Sequence, residues 1–504
     1  MDDIASTPVP GSPGAGASDT KAAEERLWTG GKGEPMPIRA LPEAFNPVHI
    51  LGPAMILVAL GVGLGETYLW PRLVILFGPD IRWLFLVGVT IQAFVMLEMA
   101  RYAMATGESI FFGAARIFKP LMWFFFIVAI AIYIWPGHIS AGADAFEHLT
   151  GIPWQVSAIV GMILIGVIYT FAKIVYNLVE MLMTVLVGIL VLGSAVIAGV
   201  VGNLSDLGHT LTGLFTFGYL PSGVFTAAWF PVIVGACAFA GPSGMQQMWY
   251  TLWLRDKGAG MGAHIPRIKG LLYGAGEAET MPARGYMFDT ENPAEMAKWK
   301  AWRRWVAVDA WVLFYGITML VTIVFTVIAQ AAARLSPAVT TQLKADDQTA
   351  ALTAMSNAFE HAGGAAVGGL LFAFISLVGF KASFGLFDAF ARGQSDMTYY
   401  FIPGARRFKI SQLYFLFLWG VIVFGIIILL WGPADGPTAI LNVLAFSSTL
   451  VMGAYCVTLL LVNNRVLPKR IRPGWLTKIV IGIGAVFYLG LLFYSLGAYG
   501  VVVG

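Results

Sequence analysis

This sequence carries little charge. Asp, Glu, Lys and Arg make up only 12% of its 504 residues, while 58% are hydrophobic. A water-soluble chain of this length has too little interior to hide so much apolar surface, which excludes the soluble globular classes and leaves hydrocarbon as the solvent that fits. Cysteine is nearly absent. Cys237 and Cys456 both sit in apolar runs, where they read as small buried hydrophobes, so a disulfide framework is excluded. No Cys/His cluster has metal-ligand spacing. There is no nucleophile–base triad and no phosphate-binding loop. The pattern Gly61-x-Gly63-x-Gly65 interrupts an apolar run instead of following a strand, so it is no dinucleotide fingerprint. Enzyme chemistry, cofactors and nucleic-acid binding therefore have no residues to carry them. Residues 1–47 lack the apolar core of a secretory signal. Their Ala, Gly, Pro, Ser and charge suit a disordered cytoplasmic tail.

What the chain does have is a succession of apolar runs of the length a bilayer requires, about 20 residues each. They cover 48–77, 81–105, 119–142, 153–172, 177–203, 222–254, 302–333, 362–391, 411–432, 437–462 and 475–502. The expected fold is an all-α membrane protein of about eleven spans. Its 31 Lys and Arg fix the orientation. With the N-terminus inside, all but five fall on the cytoplasmic side: Arg82, Arg334 and Lys344 lie outside, and Arg72 and Lys381 lie within spans. The expected location is the inner cell membrane, with the N-terminus cytoplasmic and the C-terminus external. The longest cytoplasmic connection, 255–301, carries a helix start at Asn292-Pro293. Trp299, Trp302 and Trp305 then alternate with Lys298, Lys300, Arg303 and Arg304, as expected of a helix lying on anionic lipid.

Two runs contain helix breakers near their middles: Gly61-Val62-Gly63-Leu64-Gly65-Glu66 in the first, and Ala240-Gly241-Pro242-Ser243-Gly244 in the sixth. A backbone break inside a bilayer leaves peptide groups unpaired, which is tolerated where they line a cavity or bind a solute. Broken helices five spans apart point to a secondary transporter built from two inverted repeats. The expected units are a first repeat over 48–203 (spans 1–5), a second over 204–462 (spans 6–10, with the 255–301 loop), and an additional span over 463–504.

Several motifs resemble the Nramp (natural resistance-associated macrophage protein) metal transporters. They are Gly52-Pro53 opening span 1, Glu98-Met99-Ala100-Arg101 followed by Ala105-Thr106-Gly107-Glu108, Gly235-Ala236 before the second break, and Lys173 to Glu180 with Tyr176-Asn177-Leu178-Val179-Glu180. The resemblance implies a leucine-transporter-type fold of five plus five inverted helices and proton-coupled uptake of a divalent cation. The chain departs from it at the metal site. Where the family has Asp-Pro-Gly-Asn, this sequence has Gly63-Leu64-Gly65-Glu66. Where the family has Met-Pro-His, it has Phe239-Ala240-Gly241-Pro242-Ser243. A soft thioether, which favours transition metals, is missing.

The expected substrate site is made of Gly63, Gly65, Glu66, Ala236, Gly241, Ser243 and Gln246, with Gln247 as a further hydrogen-bonding candidate and Glu66 as the one potential metal ligand. Glu66 opens the second half of a broken helix, where free N–H groups favour a carboxylate. It either caps the break or meets a solute or proton. Lys381 either reaches for the inner interface or turns inward, to Glu66 or to the carbonyls around Gly61 to Gly65. In the second case an uncharged or anionic organic solute suits the site better than a divalent metal. Glu98 with Arg101, and Asp388 with Arg392, stand three and four residues apart and read as helix pairs available for gating. Asp309, Glu180 and His138 are candidates for a proton route. The expected partners are a small solute or metal ion and the lipid bilayer. A membrane sensor that kept the fold and lost transport is the rival reading.

Overall fold

The computed structural model describes residues 26–46, 53–172, 174–222, 226, 229–268, 282, 284–344, 348–431 and 437–498. It is an all-α multi-pass membrane protein with the expected inverted-repeat architecture, and each expected span has a helical counterpart. Eight helices among the described residues are long and apolar enough to cross a bilayer. Span 1 is a bent pair, Pro53–Gly61 and Gly65–Phe77, turned by 43° at the break. Span 4 is the shorter apolar helix Trp154–Thr170. Span 6 is the pair Phe230–Ala238 and Gln246–Lys257.

The helix breaks follow from local chemistry. Gly241 and Gly244 adopt positive φ, +99° and +55°, a region that side chains with a Cβ rarely enter. Pro242, between them, has no N–H to offer a helix. The two breaks also lie directly against each other. A Cβ built on Gly65 would stand 2.2 Å from the Phe239 carbonyl oxygen, and one on Gly61 would stand 2.7 Å from the Pro242 ring. The glycines of the first break are therefore needed for backbone-to-backbone approach. Span 8 crosses the second half of span 3 in the same manner, with a Cβ on Gly379 falling 2.5 Å from the Gly142 Cα.

Several boundaries and roles differ from expectation. Span 3 continues to Thr150, past an interruption at Trp135-Pro136, so its two halves are Lys119–Tyr133 and Gly137–Thr150. Span 8 runs from Ala365 to Phe401, ten residues beyond the apolar run. The polar residues that end the run, Arg392, Gln394, Ser395 and Asp396, are buried against protein partners, and the helix carries on through them.

The tail is not disordered throughout. Residues 27–28 and 36–37 pair as a short antiparallel hairpin, and Met36 and Leu41 are fully buried. Residues 1–25 and Gly52 lie outside the described residues. The helix starting at Pro293 forms as expected, capped by the Asn292 side chain. Its tryptophans do not face lipid. Trp302 is wholly buried, donates through Nε1 to the Pro42 carbonyl, and meets Phe45 edge-on at 4.8 Å. Trp299 stacks on Phe288. The tail and the helix bury each other's apolar faces, which displaces the lipid expected there. Between spans 7 and 8, two helices absent from the expectation, Pro337–Lys344 and Gln348–Gly363, lie over the outer half of span 1. The cavity beneath them, lined by Thr67, Arg72, Phe325, Met355 and Ile375, holds only about 30 Å³.

Candidate functional site

The two breaks share one carboxylate. Glu66 is fully buried; one of its oxygens accepts the Gly63 N–H at 3.0 Å and the other accepts the Gly241 N–H at 2.7 Å. A single side chain thus satisfies donors from both interrupted helices, as unpaired peptide groups in a bilayer require. Glu66 sits in a widened π-helical turn, Gly65–Leu69, and Thr67 closes that turn on the Gly63 carbonyl through both its N–H and its hydroxyl. Lys381 turns inward. Its Nζ donates to the Val62 carbonyl at 2.6 Å, in the unwound stretch of span 1, and the residue is 2% exposed. No ion pair within 4 Å joins it to Glu66 among the described residues, so of the inward partners expected for it, Glu66 or the carbonyls around Gly61 to Gly65, this conformation shows a carbonyl. The ammonium instead occupies a backbone carbonyl, a group that also suits a small cation.

The second break is held from three sides. Gln92 on span 2 donates to the Ala240 carbonyl at 2.9 Å. Tyr133 on span 3 accepts from the Met245 N–H at 2.9 Å. His138 stacks on Phe239 at 5.6 Å and is buried. Ser243 takes a hydrogen bond from the Gln246 amide nitrogen, and Gln247 reaches the Gln92 backbone. The carboxamide oxygens of Gln246 and Gln247 are buried and without a protein partner. Ala236 lies buried one turn before the break. Among the described residues no three His, Cys, Asp or Glu side chains are grouped as metal ligands, around Glu66 or elsewhere.

The remaining candidates form separate clusters. Glu98 and Arg101 make a two-pronged pair at 2.6 and 2.8 Å, which Asn463 and the Ile471 carbonyl extend to the spans 10–11 connection. Asp309 accepts from Tyr250 at 2.8 Å, and Glu180 from Lys257 at 2.7 Å. Asp388 and Arg392 are joined as expected, but inside a larger network. Arg392 also holds Asp256. Asp388 also accepts from Trp253 Nε1 and the Tyr414 hydroxyl. Arg255 grips Asp396, which Ser109 donates to. Arg255, Asp256 and Asp396 were missed because they follow apolar runs and read as loop charges. One signal was available: Trp249 and Trp253, one turn apart, continue the helical face up to Gly258, whose positive φ ends the helix. Gln92 and Tyr133 carry no signal in the sequence that distinguishes them from other polar groups in spans.

No family model matches the chain, and no curated protein sequence matches it. Solved structures do. A mutant of the Eremococcus coleocola manganese transporter superposes with a TM-score of 0.62 at 12% identity, covering 91% of this chain and 88% of that one. The same transporter in complex with an aromatic bis-isothiourea compound gives 0.57 at 13%, covering 92% and 94%. Mhp1, a nucleobase-cation-symport-1 family transporter in a closed conformation with bromovinylhydantoin bound, gives 0.52 at 13%, covering 89% and 92%. This chain has the leucine-transporter-type fold. Neighbours as different as a manganese transporter and a hydantoin-bound symporter share it, so the fold leaves the solute open and the residues at the breaks must decide it.

Proposed function

We propose that this protein is a secondary-active transporter that binds a small organic solute, an amino acid or organic acid, between the breaks of spans 1 and 6. One observation carries the reading: the Lys381 ammonium sits on the Val62 carbonyl inside the first break. A fixed positive charge there opposes a second, divalent one and suits a neutral or anionic solute. It also supplies, from the protein itself, the cation that other sites of this kind take from solution. The unpartnered oxygens of Gln246 and Gln247 offer acceptors to a solute's N–H or O–H groups. Glu66 ties the two breaks to each other, so the half-helices of spans 1 and 6 move together when access alternates.

The test is a thermal-shift screen of the purified chain against amino acids, organic acids and Mn²⁺, followed by uptake into proteoliposomes. A solute at 100 times its Kd stabilises the native state by about 2.7 kcal/mol. The expected result is a shift with an organic solute that Lys381→Met removes. Tight Mn²⁺ binding abolished by Glu66→Gln would instead establish the divalent-cation transport that the Nramp resemblance implies. Binding of none of these, with no uptake, would favour a sensor.

A further inference from the structure

A second pocket lies far from the breaks, where span 3 begins and span 8 ends. It has a volume of about 400 Å³ and is lined by Phe112, Arg116, Lys119, Trp123, Tyr400 and Arg406, among others. We propose that this pocket binds the headgroup of an anionic phospholipid.

The lining is built in two layers. At the back, Arg116 is tied to Glu108 by two bonds, at 2.8 and 2.6 Å, and to the Glu34 carbonyl at 2.6 Å. It lies over the Phe112 ring at 5.2 Å, and Phe112 meets Tyr400 edge-on at 5.0 Å. This back wall is fixed and aromatic. At the mouth, Lys119 is exposed and its ammonium has no partner among the described residues. Arg406 donates one N–H to the Tyr400 carbonyl at 3.1 Å, which holds the guanidinium at the rim with its other donors free to meet an anion. Arg116 is neutralised by Glu108, which leaves Lys119 and Arg406 facing the one carboxylate that lines the pocket, that of Glu34. Lys119 is also the first residue of the 15-residue first half of span 3, whose dipole adds to the positive potential.

The position selects a lipid over a soluble anion. The face of span 3 that leads away from the pocket exposes Phe118, Trp123, Ile127 and Ile130. On a membrane span that column faces acyl chains, and Trp123, a pocket residue, stands where an indole marks the headgroup level. A phosphodiester seated between Lys119 and Arg406 therefore has its chains directed along an apolar wall. Basic pockets between spans at the membrane surface recognise anionic headgroups by this combination.

The experiment is native mass spectrometry of the full chain in neutral detergent, titrated with phosphatidylglycerol, phosphatidylcholine or inorganic phosphate. Each Lys or Arg near an anionic surface contributes enough that losing both Lys119 and Arg406 lowers phosphatidylglycerol affinity about thirtyfold. Lys119→Gln with Arg406→Gln should show that loss, with the melting temperature in detergent unchanged because both side chains are exposed. The control, Lys300→Gln with Lys478→Gln, removes two exposed charges outside the pocket and should bind as the parent does. Phosphatidylcholine should bind weakly to all three. The proposal is overturned if the control loses as much affinity, if the pocket variant loses none, or if inorganic phosphate displaces the lipid at comparable concentration.

Discussion

Arg392 lies at the centre of the buried charge network, and its removal has a calculable consequence. The guanidinium holds Asp388 through Nε at 2.8 and 2.9 Å, and Asp256 through Nη1; all three residues are at most 1% exposed. In Arg392→Met the two carboxylates fare differently. Asp388 keeps Trp253 Nε1 at 3.0 Å and the Tyr414 hydroxyl at 2.8 Å. Asp256 keeps only Arg255, whose Nε is 4.0 Å away and whose Nη1 is committed to Asp396. A buried charge stripped of its partner costs about 3–5 kcal/mol. Arg392→Met should therefore lose stability on that scale, mostly through Asp256. Adding Asp256→Asn and Asp388→Asn removes the stranded charges and should restore most of the loss, since replacing a whole buried network with neutral groups is close to neutral. Reversible unfolding in mixed micelles with a denaturing detergent gives both numbers. The reasoning fails if Arg392→Met stays within about 1 kcal/mol of the parent, or if the triple variant is no more stable than the single one. The network joins the inner half of span 6 to span 8, so a weakened variant should also label faster with a water-soluble thiol reagent at a cysteine placed at Thr251 on that half-helix.

Further outcomes are expected at the breaks and the tail. Gly65→Ala drives a methyl into the Phe239 carbonyl at 2.2 Å, and should cost about 1–3 kcal/mol by the same unfolding assay; an unchanged variant would mean the breaks are not in contact. Glu66→Gln turns one acceptor into an NH₂ group facing a backbone N–H, and Lys381→Met leaves the Val62 carbonyl unpaired, each costing about 1–3 kcal/mol. Because Lys381 and Glu66 hold the C=O and the N–H of the same Val62–Gly63 peptide, their effects should not add, and a double-mutant cycle should show a coupling of about 0.5–3 kcal/mol; strictly additive losses would refute it. Trp302→Ala removes the anchor of residues 36–45, so trypsin should cut after Arg39 faster than in the parent; equal rates would show that the tail is held elsewhere.

The class, the succession of spans and the positions of the two breaks are legible in the sequence. These follow from one-dimensional quantities: the length of apolar runs against a bilayer's thickness, and the placement of Gly and Pro, which act on their own backbone. The sequence also brought forward Glu66 and Lys381, because a charge inside a span is conspicuous wherever it points. What those charges touch depends on how the spans pack. Glu66 binds the N–H of nearby Gly63 and that of Gly241, 175 residues along the chain, and Lys381 meets the Val62 carbonyl rather than the interface because span 8 lies beside the first break. The same limit explains the misread ends. Asp396 resembles a loop residue until Arg255 arrives from span 6 to neutralise it, and Trp302 resembles a lipid anchor until Pro42 and Phe45 fold back over it. Burial of a polar or aromatic group is a property of its partners, and those partners come from distant parts of the chain.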